Sequence, residues 1–298
     1  MDRENVLVTG ANGYIGAHLV KKLLDNRKFV WAIVRSKQSD ISAIESLDNC
    51  RIIVCPMDKI ASLDSLIECE DIKTCYHLAW SSGKKIRQEN FLSQERLIEY
   101  SISLMDVMNK KKCKKFIATG SILETNTLLP LARHPNMIYA VTKDCTNKLL
   151  KIRSDELKMQ YTWCRLCGVY GDNDNTGNLI SYTISSLKKG ISPEYSLGVQ
   201  PYSFIHVDDC AEALIRIGEN LVCNKSLMTL SGPECMTIKE YMTIIKSSIA
   251  SETSLKFGVR ADDGVRYTKD MFDNRDLIKC FGMVYKHMFK DEIIKSLS

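Results

Sequence analysis

The sequence predicts an α/β protein, a doubly wound parallel sheet with a smaller, mixed C-terminal lobe. Three features predict it. Apolar runs of strand length alternate with helix-period segments through the first half of the chain. The first such run leads straight into a turn carrying Gly10, Gly13 and Gly16, and a helical pattern follows. The chain has 298 residues, and at about 150 residues per domain that is roughly two domains.

The elements follow in order. Residues 5–9 form a short apolar strand. Ile15, Leu19, Val20, Leu23 and Leu24 then recur at helical spacing as far as Asn26. Residues 29–34, 51–55 and 74–79 read as the second, third and fourth strands, and residues 91–108 as a long helix. Residues 115–119 read as the fifth strand. Pro130 and Pro135 mark a loop over about 123–136. Residues 138–153 read as a helix and 161–169 as a sixth strand. The tail is less regular, with a strand at 203–207 and helices at 207–218, 237–250 and 290–297. The expected division is a dinucleotide-binding domain over 1–168, to which 201–226 returns, and a substrate-binding lobe over 169–298.

Composition excludes several classes. Lys plus Arg number 41 and Asp plus Glu 36, a net charge of +5, with 26% charged and 45% hydrophobic residues. That is ordinary globular usage, not that of a disordered chain. With 15 Gly and 6 Pro the chain is not collagen-like. No apolar run approaches the roughly 20 residues of a membrane span. The N-terminus shows neither a basic nor an apolar leader pattern, so a cytoplasmic location is expected. The basic run from Lys110 to Lys115 sits where a helix should end. It is expected to be a solvated face suited to the helix dipole, not a nucleic-acid contact. Twelve Cys without a leader point to free thiols in a reducing compartment. Cys164 and Cys167 form the one close pair. It lies in a strand-like run without further ligands, so no metal site is expected, and the other cysteines read as small buried groups.

The glycine turn has a physical purpose. Side chains at Gly10 or Gly13 would obstruct a pyrophosphate, and Gly16 lets helix and strand pack closely. The helix N-terminus offers free N–H groups and partial positive charge. The spacing is G-x-x-G-x-x-G. The second strand ends in Arg35, with no Asp or Glu there to take a ribose 2′-hydroxyl. A cation at that point pairs with a 2′-phosphate, which favours NADP(H) over NAD(H). Asp58, after the third strand, is a candidate for the adenine. Tyr139 and Lys143 stand four apart and share a helix face. A nearby ammonium favours the phenolate, which makes Tyr139 a plausible acid–base beside a hydride carrier. Ser121 closes the preceding strand.

These motifs together resemble the extended short-chain dehydrogenase/reductase family, a Rossmann-fold family, and in particular its nucleotide-sugar epimerases, dehydratases and reductases. Val8-Thr9-Gly10-Ala11-Asn12-Gly13-Tyr14-Ile15-Gly16 is similar to the family's opening motif. His77-Leu78-Ala79-Trp80 resembles H-L-A-A, with Trp80 in place of the last Ala. Arg165 to Gly171 resembles R-x-x-N-V-Y-G, and Phe204 to Asp209 resembles F-I-H-V-D-D. Gly258 to Asp263 loosely resembles a late R-x-G-D segment. The resemblance implies a catalytic set of Ser121, Tyr139 and Lys143. It implies cofactor contacts from Gly10, Asn12, Gly13, Tyr14, Ile15, Gly16, Arg35, Asp58, Leu78, Ala79, Tyr139 and Lys143. Candidate substrate contacts are Ser81, Arg165, Asn178, Tyr202 and Arg260, the two arginines for a diphosphate. His77 and His206 read as structural, and His18 and His287 carry no functional argument.

Departures shape the expected activity. Dehydrating members carry Asp-Glu directly after the catalytic Thr, whereas Ile122-Leu123 stand here, which speaks against removal of water. Gly168 replaces the Asn of R-x-x-N, and Tyr202-Ser203 replaces the Arg before F-I-H. The leading expectation is NADPH-dependent reduction of a nucleoside-diphosphate 4-keto-6-deoxy sugar at C4. The alternatives are a nucleotide-sugar 4-epimerase with retained NAD, an extended reductase for an apolar ketone, and a non-catalytic NADP-binding sensor or scaffold. The family also suggests a homodimer built on the helices near 91–108 and 138–153.

Overall fold

The protein is described from a computed structural model covering residues 3–81, 91–128, 136–172, 174, 177–249 and 251–297. The central sheet contains β1 (Asn5–Thr9), β2 (Phe29–Val34), β3 (Cys50–Val54), β4 (Ile72–His77), β5 (Lys115–Ser121) and β6 (Gln160–Leu166). A seventh strand, β10 (Leu227–Leu230), completes it. The order is β10-β6-β5-β4-β1-β2-β3, and every neighbouring pair is parallel. The chain winds outward from β1 through β2 to β3 and then crosses to β4 on the other side of β1. That reversal opens a crevice at the carboxyl ends of β1 and β4, the usual ligand position in such sheets.

Alternation along the strands sorts side chains between two cores. Val6 and Val8 face a cluster with Leu19, Val20 and Leu23 of α1 (Tyr14–Asp25) and with Leu214 and Ile217 of a later helix, Val207–Glu219. Leu7 points the other way, into a cluster with Leu104 and Met108 of α2 (Phe91–Lys110) and Leu150 of α3 (Met137–Glu156). This period-two division buries both faces of the sheet, as parallel sheets require.

The sixth strand is shorter than its expected span of 161–169. After Leu166 the backbone leaves the sheet, and β7 (Gly168–Tyr170) pairs instead with β9 (Phe204–His206). Close approach calls for glycine at this point, since a Cβ on Gly168 would lie 2.5 Å from Phe204 Cδ1 and 2.7 Å from Tyr202 Cε1. The Asn expected from the family pattern therefore has no room at this position. The smaller lobe is built on an aromatic core of Tyr170, Tyr195, Phe204, Tyr241 and Phe289. Around it pack α4 (Leu179–Lys188), α6 (Ile238–Ile249) and α8 (Phe289–Leu297), whereas α5 (Val207–Glu219) and α7 (Arg275–Phe281) bury their apolar side chains in the cluster on the central sheet. The short pair β8 (Pro201–Tyr202) and β11 (Met236–Thr237) completes this lobe. Among the described residues no helix is long and apolar enough to cross a membrane.

The lysine run departs from the solvated face expected of it. Lys110 and Lys112 do lie outside, near Asp64 and Glu70. Lys111 is buried and donates to the Ile67 carbonyl at 2.9 Å, and Lys115, the first residue of β5, donates to the Asn220 carbonyl at 2.6 Å. Each ammonium is thus hydrogen-bonded to a loop carbonyl where it is buried. Six of the cysteines are only partly buried, Cys50, Cys69, Cys145, Cys223, Cys235 and Cys280, against the expectation of uniform burial, and all twelve are free thiols.

Leu7 is fully buried at the centre of the sheet, whereas Leu227 on the edge strand is 40% exposed. Leu7→Ala should lower unfolding free energy by about 2–5 kcal/mol in urea titrations. Leu227→Ala should cost under about 1 kcal/mol.

Candidate active site

The glycine turn is built by contact. Gly10 adopts a positive φ of 67° behind Ala79, and a Cβ on Gly16 would sit 2.1 Å from the Gly10 carbonyl oxygen. Helix α1 can therefore start directly against β1. Its first turn carries no acidic residue, and the residue at its N-cap, Gly13, supplies no side-chain cap. The N–H groups and positive end of the dipole thus face the crevice without an internal carboxylate to neutralise them. Asn12 donates to the Asp40 carbonyl at 3.0 Å and ties the turn to the loop after β2.

A cavity of about 620 Å³ lies over this turn. It brings together Gly10, Asn12, Gly13, Tyr14, Ile15, Gly16, Arg35, Leu78, Ala79, Ser81, Ser121 and Tyr139, all anticipated from sequence. Among the described residues no carboxylate lines it, and Arg35 is the one cation on its wall. Tyr14, which lines the cavity, carries a buried hydroxyl without a hydrogen-bond partner among the described residues. An anionic dinucleotide fits these features: an uncapped helix N-terminus, glycines where side chains would intrude, and no opposing negative charge.

The catalytic candidates meet at the far end. Tyr139 lies in the first turn of α3, where the helix dipole favours negative charge. Lys143, one turn on, is buried and donates from Nζ to the Thr119 carbonyl at 2.6 Å. Its ammonium sits 3.7 Å from the Trp80 ring centroid, 5.6 Å from that of Trp163 and 6.0 Å from that of Tyr139. Burial pushes Lys143 down to about 7, against the opposing pull of Glu124. Ser121 Oγ accepts from Leu123 N–H at 3.3 Å, which leaves its own O–H to donate.

Other candidates lie elsewhere. Asp58 is exposed in the 3₁₀ turn Met57–Ser62, and Cys55 and Met57 line the cavity in its place. Arg165 Nε donates to Glu124 at 3.2 Å. Asn178 caps α4 by accepting from Ile180 N–H and Ser181 N–H. Tyr202 packs among Phe204, Tyr267 and Phe272. Arg260 is exposed, and donates to the Tyr182 hydroxyl at 2.8 Å. None of these five lines the cavity.

Sequence reasoning passed over two groups. Trp80, noted as a motif departure, forms the aromatic wall over Lys143 and donates from Nε1 to buried Gln94 at 2.9 Å. Gln94 in turn donates to the Ser81 carbonyl at 2.8 Å. The motif departure was the available signal for it. Glu124 is a buried carboxylate beneath Ser121, and a lone Glu in a loop-like stretch gave no sign of that.

The histidines are structural in geometry. His77 hydrogen-bonds Thr9 Oγ1 at 2.8 Å and Ser101 Oγ at 3.0 Å, locking β1, β4 and α2 together. His206, His287 and Glu292 hold potential ligand atoms within 4.8 Å of one another. The two rings stack at 4.0 Å with their planes 24° apart. His206 Nδ1 accepts from Asp208 N–H at 3.3 Å, which places its proton on Nε2, the atom facing Glu292. Such a set suits anchoring of α8 better than a metal.

Comparison with known proteins agrees with this geometry. Residues 6–226 match the model of the NAD dependent epimerase/dehydratase family. The chain belongs to this family. It is thus an NAD(P)-dependent enzyme of the oxidoreductase type, as the extended short-chain dehydrogenase/reductase resemblance implied. CDP-abequose synthase of Yersinia pseudotuberculosis is 24% identical over 282 residues, 92% of this chain and 96% of that protein. The dTDP-4-dehydro-6-deoxy-D-allose reductase of Streptomyces bikiniensis is 23% identical over 261 residues, 80% of this chain and 79% of that protein. Among solved structures, the UDP-N-acetylglucosamine 4-epimerase from Methanobrevibacter ruminantium M1, in complex with UDP-N-acetylmuramic acid, superposes with a TM-score of 0.81. It is 24% identical, with 100% of this chain and 98% of that one covered. The shared fold is the Rossmann-type doubly wound sheet.

Burial, and then the Lys143 charge, push His77 down to about 3. Unfolded histidine titrates near 6.5, so the unfolded chain binds a proton that the native state refuses. The stability contributed by neutral His77 is complete above that value and is lost as pH falls toward the native one. In denaturant titrations between about pH 6 and 4, the wild type should lose roughly 1.4 kcal/mol per pH unit more than His77→Gln. Parallel slopes would contradict the assignment.

Proposed function

We propose that this protein reduces the C4 ketone of a nucleoside-diphosphate 4-keto-6-deoxy sugar with NADPH. One observation carries the reading. Ser121 and Tyr139 line the same cavity as the glycine turn, and the buried Lys143 holds its Nζ 6.0 Å from the Tyr139 ring centroid. When bound, NADPH supplies the hydride that the sugar carbonyl carbon accepts. Gly10, Asn12, Gly13 and Gly16 would hold the pyrophosphate and Arg35 the 2′-phosphate.

The protein's own groups manage the oxygen. Ser121 donates a hydrogen bond to the carbonyl oxygen, and more strongly as negative charge develops there. Tyr139 transfers its phenolic proton to that oxygen, completing the alcohol and leaving a phenolate. The Lys143 ammonium and the N-terminal end of α3 stabilise that phenolate until solvent restores the proton. The result is ketone plus hydride plus proton giving alcohol, with the cofactor oxidised.

Removal of water needs an acid–base pair that the site does not provide. Ile122 and Leu123 follow Ser121, and the Glu124 carboxylate turns inward to Trp163 and Arg165 and does not line the cavity. The second reading is 4-epimerisation with retained NAD, and the likeness to epimerase structures supports it. The absence of a carboxylate from the described cavity wall, with Arg35 on it, favours NADPH and net reduction. The stretches outside 1–168 and 201–226 are proposed to form the sugar-binding lobe. A cytoplasmic homodimer is proposed through the outer faces of α2 and α3, which expose Leu92, Val141 and Ile152.

NADPH consumption should be followed across a panel of nucleoside-diphosphate 4-keto sugars. Tyr139→Phe should lower kcat by about 10³-fold or more while NADPH still binds, read by fluorescence titration. An unchanged rate would overturn the mechanism. Arg35→Ala should weaken NADPH by about 10–100-fold, the worth of a charge-assisted pair, and leave NADH nearly unchanged. Equal losses for both cofactors would contradict the 2′-phosphate assignment.

A further inference from the structure

We propose that Glu124 is a positioning residue of the reaction, a buried counter-charge that holds Ser121 and Lys143 in place from beneath the cavity floor. The inference deepens the functional reading above and rests on its cofactor site.

The Glu124 side chain is 0% exposed. Its neighbours are donors. Oε1 accepts from the Ser121 N–H at 2.6 Å, and Oε2 accepts from Trp163 Nε1 at 2.9 Å and from Arg165 Nε at 3.2 Å. A carboxylate satisfies three convergent donors, whereas an amide would turn its NH₂ toward one of them. The backbone between is glycine for the same reason. A Cβ on Gly120 would lie 2.2 Å from Glu124 Oε1 and 2.2 Å from Trp163 Nε1. Three consecutive residues therefore share one clamp: Thr119 receives Lys143, Gly120 yields its space to the carboxylate, and Ser121 donates to it.

Charge gives the clamp a second role. Among the described residues, the groups that face Lys143 are Tyr139 on its own helix, His77 on β4, Glu124 on the turn after β5, and the rings of Trp80 and Trp163. Glu124 is the acidic member of this set. His77, held neutral by burial, adds no negative charge, and Arg165 on β6 shares the Glu124 carboxylate. Removing the carboxylate would leave Lys143 a buried cation without a counter-ion among the described residues, and it would shed its proton more readily. The cofactor ribose and the Tyr139 phenolate would both lose their cationic support.

The test uses the full chain and NADPH, with binding followed by fluorescence from about pH 6.5 to 9.5. The variants are Glu124→Gln, Lys143→Met and the two combined. Wild-type affinity should decline as pH rises and Lys143 loses its proton. In Glu124→Gln the decline should begin at lower pH, so that the Kd near pH 8 rises about tenfold, the equivalent of one pKa unit. Lys143→Met should bind weakly without that pH dependence, and the double variant should be no weaker than Lys143→Met alone. Glu124→Asp, which keeps the charge, should restore the wild-type midpoint. A Glu124→Gln profile that overlays the wild type, or losses that multiply in the double variant, would overturn the proposal. Should Glu124→Gln fail to fold, Arg165→Met decides. With the competing cation gone, the decline should move to higher pH, and an unmoved profile overturns the proposal. A wild type that binds NADPH but reduces no sugar of the panel defeats the substrate reading and leaves this proposal standing. A wild type that binds no NADPH defeats both.

Discussion

A buried ammonium organises this site. Lys143 sits on a helix that packs against the sheet, yet it is buried, and its Nζ is satisfied by protein. The Thr119 carbonyl accepts its hydrogen bond, and the Trp80 face lies 3.7 Å away. These partners fix the rotation of α3 relative to β5. Tyr139 follows, because it lies one turn earlier on the same face, and Ser121 follows, because it ends the strand whose Thr119 carbonyl is engaged. The strength of the arrangement lies in its low dielectric, where each interaction weighs more than it would in water.

The sheet topology supplies the other half. Reversal of strand order at β1 and β4 opens the crevice, and the contact of Gly16 with Gly10 brings the positive end of α1 to its edge. One end of the cavity is therefore suited to phosphate, and Ser121 and Tyr139 line the other. The smaller lobe approaches this cavity because β7 leaves the sheet at Gly168, where Phe204 and Tyr202 occupy the space of a side chain.

Much of this was legible from residues alone. Strands β1 and β2 and the helices around them follow from apolar periodicity, since both faces of a parallel sheet are buried and the runs are unbroken. The glycine turn and the Tyr139–Lys143 pair follow because the chemistry demands particular residue types at fixed spacing, and Ser121 joins them through the family resemblance. Three other features could not be read this way. The strand Leu227–Leu230 and the helix Leu179–Lys188 are short, and tertiary packing rather than pattern makes them. Burial of Lys111 and Lys115 depends on carbonyls from distant loops. The role of Glu124 depends on Trp163 and Arg165, about forty positions away and adjacent only in the fold.

The most direct test of the account follows one deuterium. NADPH carrying deuterium at the transferred position of its nicotinamide is supplied with a nucleoside-diphosphate 4-keto sugar, and the product is read by NMR. The account predicts one deuterium at C4 of the sugar for each cofactor oxidised. No label at C4 of the keto sugar, together with C4 inversion of the corresponding 4-hydroxy nucleotide sugar without net cofactor oxidation, would contradict it and identify an epimerase instead.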